Sequence, residues 1–417
     1  MSLKKIVDKI EVNDIKKNFF LTKDIMEEVS NYVKKEKLIL YGGYALNMIL
    51  PENNKIYKYH TPADYDCYSY NPKKHAIKLA KILKKKKYRF LKVRMAVHEN
   101  TYKVYAGMIS IIDITYINKD VYNIFLKIHQ DELLTRYFKY YKNNYIIAPF
   151  TFLIRNLYYE LSRPKESYYR WEKIHSRLKL LTKHIINKKK DTKFKKFIKY
   201  PDDIIVCKRY LLRYFKKNKL PIIGMYALKF IKNIKNNNCC NNSEYSYLFQ
   251  ILSKNYAIDC KNISNIIQKN INLKKYKLKI IKKTDTSSSI DIIENRYRIQ
   301  LINKNNNKLI NIIEITKVKD NCFSVQNINN YTIGSLDTIL CFLYSRYTAI
   351  LVGKYINPNR VNNALKNIED DISIYENILK KIKNRDRFKI KCYGKELTIH
   401  KIYKKNWGKK MSLLRYS

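Results

Sequence analysis

Residues 41–70 read YGGYALNMILPENNKIYKYHTPADYDCYSY. Paired glycines interrupt a short apolar strand pattern, LILY at 38–41. The apolar segment Tyr44–Leu50 then reads as a helix that Pro51 ends. Asp64 to Tyr70 reads as a strand, stopped by Asn71-Pro72. Side chains two apart on a strand share a face, so Asp64 and Asp66 point the same way. Two carboxylates that close repel each other unless a cation lies between them. A third, Asp113, follows the apolar run Ile109–Ile112 on another predicted strand. If the two strands are neighbours, three carboxylates converge, and oxygen donors of this kind suit a pair of Mg²⁺ or Mn²⁺ ions. Gly42-Gly43 allows a tight turn and close backbone approach. The helix start behind it offers free N–H groups and a positive dipole end, a cradle for phosphate.

Working outward, residues 1–36 carry apolar positions at helical spacing, among them Ile6, Ile10, Ile25, Val29 and Val33. Lys73–Lys87 reads as a basic helix, and Tyr88–Ala96, Tyr102–Ala106 and Met108–Tyr116 as three strands. A helical pattern runs from Phe150 to about Tyr200. The chain then repeats itself. LYGGYALNMIL at 40–50 is similar to IIGMYALKFIK at 222–232, ISIIDIT at 109–115 to INIIEIT at 310–316, and YII at 145–147 to YTI at 331–333. At the offset of the first pair, Asp64-Tyr65-Asp66 falls on Ser246-Tyr247-Leu248, and Asp113 has Glu314 as its counterpart. The second copy loses two of the three acids, so it is expected to be inert.

The divisions that follow are an N-terminal helical segment (1–36), a catalytic domain (37–145), a helical connector (146–215), a degenerate second copy (216–400) and a basic tail (401–417). The fold class is mixed α/β.

The chain has 417 residues, 85 Lys+Arg against 35 Asp+Glu, and a formal charge of +50. A body this positive attracts a polyanion such as RNA. Lys, Asn, Ile and Tyr are all abundant, as AT-rich coding would give, so the charge supports such a partner without specifying it. Lys84–Lys87, Lys188–Lys190 and the aromatics Tyr168, Tyr169 and Trp171 are candidates for an RNA track. Eight cysteines without C-x-x-C argue against a zinc site and for free thiols. The start, MSLKKIVDKIEVND, lacks the apolar core of a signal peptide. The longest apolar stretch, LCFLYSRYTAILVG at 340–353, is broken by Arg346, so no membrane partner is expected.

Gly42-Gly43 with Asp64, Asp66 and Asp113 resembles the nucleotidyltransferase superfamily of polymerase β-like enzymes. HTPADYDCYS, VHENTYKVYAG, SIIDITYI and ELSRPKESYYRWEKIHSRL together resemble the poly(A) polymerase catalytic subunits of large cytoplasmic DNA viruses, the poxvirus, asfarvirus and mimivirus-like types. The resemblance runs over about residues 35–180. It implies template-independent addition of AMP from ATP to the 3′ end of mRNA, with Mg²⁺ or Mn²⁺. By position it makes Asp64, Asp66 and Asp113 the metal ligands, with Asp113 helping to deprotonate the 3′-hydroxyl, and lines the triphosphate with Gly42 and Gly43. It offers Arg170 and Lys173 as nucleotide contacts and His98 as a neighbour of the site. It places the protein in the host cytoplasm, at viral factories, or in the virion. Either a homodimer or a separate processivity subunit is compatible with it. A CCA-adding enzyme, an oligoadenylate synthetase-like enzyme and a non-catalytic RNA-binding scaffold are the rival readings.

Overall fold

The computed structural model describes residues 23–57, 64–96, 100–186, 201–231, 248–284, 295–318, 322–356, 362–383, 387–395 and 412–416. His98, Lys188–Lys190, Ser246 and Tyr247 lie outside these, as does most of the basic tail. The chain divides into two compact units, 1–153 with 176–188 and 399–417, and 154–175 with 189–398.

The first unit opens with helix α1 (23–35), whose Ile25, Val29 and Val33 are buried at the predicted spacing. Strand β1 (Ile39–Tyr41) leads directly into α2 (Gly42–Ile49). The helix therefore begins at the glycines, where the sequence suggested a turn before Tyr44. Strand β2 (Tyr65–Ser69) alternates buried Tyr65, Cys67 and Ser69 with half-buried Asp66 and Tyr68. Helix α3 (Pro72–Lys85) starts on a proline and buries Ala76, Leu79, Ala80 and Leu83, while Lys84 and Lys85 meet the negative end of its dipole. Strands β3 (Leu91–Met95), β4 (Thr101–Ala106) and β5 (Ile109–Tyr116) follow as an antiparallel meander. Helix α4 (Lys119–Glu132), capped by the Asn118 side chain, precedes β6 (Ile146–Ile147). The strand order is β3-β4-β5-β2-β1-β6, with β2 and β5 parallel. Helices α5 (Phe150–Leu161) and α6 (Trp171–Leu181) each begin in one unit and end in the other.

The second unit contains α7 (Asp202–Lys217), β7 (Ile222–Ile223), β8 (Phe249–Ser253) and α8 (Tyr256–Asn270). The meander β9 (Tyr276–Thr284), β10 (Asn295–Asn303) and β11 (Leu309–Lys317) comes next. Strands β12 (Cys322–Ile328) and β13 (Tyr331–Gly334) precede helices α9 (Leu336–Ile356) and α10 (Asn362–Lys381), and β14 (Cys392–Gly394) closes the unit. Read from β9, its order is β9-β10-β11-β8-β7-β13-β12-β14. The first six strands reproduce the first sheet, element for element. Strand β15 (Ser412–Tyr416) returns to the first sheet and pairs with β3.

Two expectations change. Helix α9 is longer than its apolar stretch suggested, and by length and composition alone it is long and apolar enough to cross a membrane. However, 67% of its apolar window is buried, and it packs on β12 and β13 as a core helix. Cys322 and Cys392 form a disulfide, with Cα atoms 5.3 Å apart, where free thiols were expected. Pairing of β12 with β14 puts the two cysteines on neighbouring strands, two register positions apart. Residues 70 apart in sequence carry no spacing signature for this. Cys67, Cys207, Cys260 and Cys341 are free and buried.

Candidate active site

The parallel register of β2 and β5 sets Asp66 directly beside Asp113. Neighbouring strands separate such pairs by about 5 Å, so the two carboxylates repel unless positive charge intervenes. That charge comes partly from Lys103, opposite Asp113 on β4, whose Nζ pairs with Asp113 Oδ2. Burial opposes the Lys103 charge, but the Asp113 carboxylate outweighs it and raises the pKa of the ammonium. Ser110 donates from Oγ to the other Asp113 oxygen at 3.0 Å. Asp64 is exposed and lies just ahead of β2, not within it. Its charge still acts on Lys103 and, together with that of Asp66, on Tyr57. Among the described residues, no three carboxylate, imidazole or thiol groups stand close enough to hold a metal ion. The structure thus joins Asp66 to Asp113 and leaves Asp64 at the open end of the strand. Beneath the acids, burial and then the charges of Asp66 and Asp113 push the Cys67 thiol well up, so it stays protonated and is no nucleophile.

Each glycine of the pair has its own reason. Gly42 sits at φ +68, and a Cβ there would stand 2.9 Å from Asp66 Cγ and closer still to Oδ2. Only glycine lets this backbone lie against the carboxylate. At Gly43 a Cβ would stand 2.8 and 2.9 Å from the Nη2 and Nη1 atoms of Arg177. Arg177 is buried and donates from Nη2 to the Tyr57 hydroxyl at 2.9 Å. The sequence reading did not single out Arg177, although it is the penultimate residue of the ELSRPKESYYRWEKIHSRL segment. Its only available signal was its place one helical turn after Lys173.

Arg170 and Lys173 belong to the second unit, and the aspartates to the first. Arg170 pairs with Glu160 at 3.3 Å. Trp171 donates its ring N–H to the Glu160 carbonyl at 3.0 Å and stacks on Phe388, so its ring face is covered. Tyr168 and Tyr169 are 64% and 62% exposed, as a base-stacking role requires. Lys84–Lys87 are exposed at the end of α3.

The second unit repeats the geometry with other side chains. Gly224, at φ +66, lies against the Gln250 side chain as Gly42 lies against Asp66. Gln250 pairs in parallel register with Glu314, and Arg298 stands opposite Glu314 as Lys103 stands opposite Asp113. The structural counterpart of Asp66 is therefore Gln250, and Leu248 takes the place of Asp64. The constant offset used on the sequence was two residues short. Glu314 is held by Arg298 at 2.8 Å and Arg296 at 3.3 Å, with Arg346 nearby. The cavity left over this group is only about 20 Å³, roughly the room one water needs.

A central sheet with paired acids beneath a glycine-started helix, followed by a copy without those acids, defines a nucleotidyltransferase fold with a degenerate second domain. Residues 27–167 match the family model described as poly(A) polymerase catalytic subunit, so the resemblance read from the sequence is borne out over that span. A protein of Acanthamoeba polyphaga mimivirus, named as a poly(A) polymerase catalytic subunit, is 34% identical over 95 residues, 22% of this chain and 16% of that protein. An African swine fever virus protein (strain Badajoz 1971 Vero-adapted) of the same description is 31% identical over 99 residues, 24% and 21% of the two chains. The matched segment thus spans about a fifth or less of these relatives. The crystal structure of the Megavirus polyadenylate synthase superposes with a TM-score of 0.72 at 19% identity, over 99% of this chain and 84% of that one. This likeness shows that the fold is shared along nearly the whole chain.

Proposed function

We propose that the chain is a template-independent poly(A) polymerase that transfers AMP from ATP to the 3′ end of mRNA. The observation that carries the reading is the side-by-side register of Asp66 and Asp113 beneath Gly42, with Asp64 at the strand mouth. The donor set is all oxygen, and Lys103 already stands in for one positive charge at Asp113. Such a set fits hard divalent cations. Asp66 and Asp113, with Asp64 closing in from the strand mouth, would hold them, and such ions would supply charge to the phosphates and lower the pKa of the attacking hydroxyl.

The chain's own groups do the rest. Gly42 and Gly43 let the backbone approach the phosphates, and the first N–H groups of α2 point at them. Asp113 accepts the 3′-hydroxyl proton. Lys103, kept charged by Asp113, holds that carboxylate in place through their ion pair. No covalent nucleophile is required, since positioning and charge provide most of the rate. Tyr168 and Tyr169 offer ring faces to the RNA. The same reading sets the protein in a host cytoplasm, either as a homodimer or with a separate processivity subunit.

The test is extension of a labelled short RNA with each NTP separately, in Mg²⁺ or Mn²⁺, beside the Asp64→Ala, Asp66→Ala double variant. Long ladders with ATP alone, absent from the variant, support the proposal. Short products needing CTP and then ATP would replace it with a CCA-adding enzyme. No extension, with salt-sensitive RNA binding intact in both proteins, would leave a scaffold.

A further inference from the structure

The second unit holds a cavity that its closed acid site does not explain. Its volume is about 390 Å³, within the range of small-molecule sites. The small space over Glu314 shares none of its lining residues. All of the described lining residues belong to the second unit.

Three chemistries meet in this cavity. Phe230, Ile231 and Leu336 make an apolar wall. The Phe230 ring packs on Tyr331, with centroids 4.8 Å apart, which restrains it. Gln326, near the end of β12, and Asn329, in the turn between β12 and β13, bring amides. Neither amide makes a hydrogen bond among the described residues. Arg387 and Lys389 bring cations. Asp337 neutralises Arg387, accepting from Nη2 at 2.6 Å and from Nε at 3.1 Å. Lys389 has no ion pair among the described residues, so the lining carries net positive charge.

The cationic wall is held in place from two sides. The Val325 N–H donates to the Lys391 carbonyl at 2.7 Å, and the Cys322–Cys392 disulfide ties the same segment to β12. Between the two cations, Phe388 stacks on Trp171 at 5.3 Å and meets the His175 ring at 5.4 Å. A wall fixed in this way costs little ordering when a ligand arrives. An aromatic wall, free amides and a cation together suit a nucleotide. The base packs on the ring, its edge meets amides that both donate and accept, and a phosphate meets the ammonium. A purely apolar ligand would leave the amides unpaired, and an inorganic anion would leave the apolar wall wet.

We infer that this cavity binds one nucleotide, free in solution or as a residue of single-stranded RNA. The site needs none of the residues assigned to adenylyl transfer. It gives the unit that lost its acids a binding role in place of a catalytic one.

The test is photo-cross-linking of the full chain with 8-azido-AMP and, separately, with a short RNA carrying 8-azidoadenosine, with attachment points read by mass spectrometry. Attachment within 230–231 or 326–331 is expected. Displacement of both probes by AMP more readily than by unlabelled RNA marks a free nucleotide. The opposite order marks an RNA residue, and either supports the site. Gln326→Ala combined with Lys389→Ala should cut this labelling about tenfold, through loss of one neutral and one charge-assisted hydrogen bond. Phe230→Leu keeps an apolar side chain but removes the ring face, and should cut it about fivefold. Labelling elsewhere on the chain should not fall, a split that general loosening of the fold would not produce. No attachment in those segments, labelling unchanged in both variants, or an equal fall at every labelled position would overturn the inference. None of these results requires RNA extension, so this site and the polymerase reading fail separately.

Discussion

The two units set nearly the same backbone to opposite electrostatic uses. In the first, Gly42 admits Asp66, Asp66 stands beside Asp113, and Lys103 faces Asp113. In the second, Gly224 admits Gln250, Gln250 stands beside Glu314, and Arg298 faces Glu314. The first arrangement sets two carboxylates side by side, one of them paired with the Lys103 ammonium. The second surrounds one carboxylate with Arg296, Arg298 and Arg346. The protein's own cations there take the part that bound cations would take in the first unit, and the space closes to about 20 Å³. In the second unit the carboxylate is neutralised by the protein's own guanidinium groups and stabilises the fold; under the proposed function, those of the first unit serve a ligand instead.

The comparison breaks most sharply at the acids. Asp66→Ala with Asp113→Ala should abolish ATP-dependent extension, a fall of about 10³-fold or more if charge placement dominates, with little change in the melting temperature. Glu314→Ala should do the reverse. Removing one member of a buried ion pair costs about 3–5 kcal/mol, so calorimetry should show a large loss of stability, and the surviving folded protein should extend RNA at the wild-type rate per molecule. Loss of activity on its own in Glu314→Ala would end the view that the second site is structural. The glycines give a smaller effect. Gly42→Ala and Gly224→Ala meet the same positive φ and the same crowding, each at about 1–3 kcal/mol of strain. Both should lower stability alike. Only Gly42→Ala, which displaces Asp66, should lower kcat, by about tenfold or more at about 1.4 kcal/mol per factor of ten.

Much of this was legible in the sequence, and the reasons are specific. Glycine pairs and alternating acids are local signals with few structural alternatives once they occur in order, so Gly42, Asp66 and Asp113 could be read directly. The duplication was readable because Ile- and Tyr-rich strands were kept in both copies. Its register was not, because an insertion of two residues ahead of Gln250 leaves no mark in the composition, and Ser246-Tyr247-Leu248 mimicked the pattern Asp-Tyr-Asp. Arg177 was hidden among other basic residues of one helix. Its difference from Arg170 and Lys173 lies in what surrounds it in three dimensions. The Cys322–Cys392 pairing depends on the neighbouring of β12 and β14, a long-range contact. The sequence also suggested a strand beginning at Asp64, whereas β2 begins one residue later and leaves that carboxylate exposed.

The finest test compares two buried carboxylates, one in each unit, that titrate in opposite directions. Glu132, at the end of α4, has its pKa pushed up to about 8 by burial, against which a single N–H from Phe150 at 2.9 Å pulls weakly. Burial also acts on Glu314, but Arg346, Arg296 and Arg298 outweigh it and hold its pKa at about 2. The signs follow from which form the fold prefers. Glu132 is favoured protonated, so its stabilisation is full below pH 4.5 and is lost as the pH rises through about 8. Glu314 is favoured ionised, so its contribution is full above pH 4.5 and is lost as the pH falls towards 2. Each pH unit inside a window changes stability by at most about 1.4 kcal/mol per group. Glu132→Gln imitates the protonated side chain and should flatten the decline of melting temperature between pH 5 and pH 8, leaving the acid limb unchanged. Glu314→Gln should lower stability throughout that range and flatten the acid limb below pH 4.5. Matching pH profiles for the two variants would show that the guanidinium cluster does not set the charge of Glu314. The electrostatic contrast between the two units would then rest on the active-site acids alone.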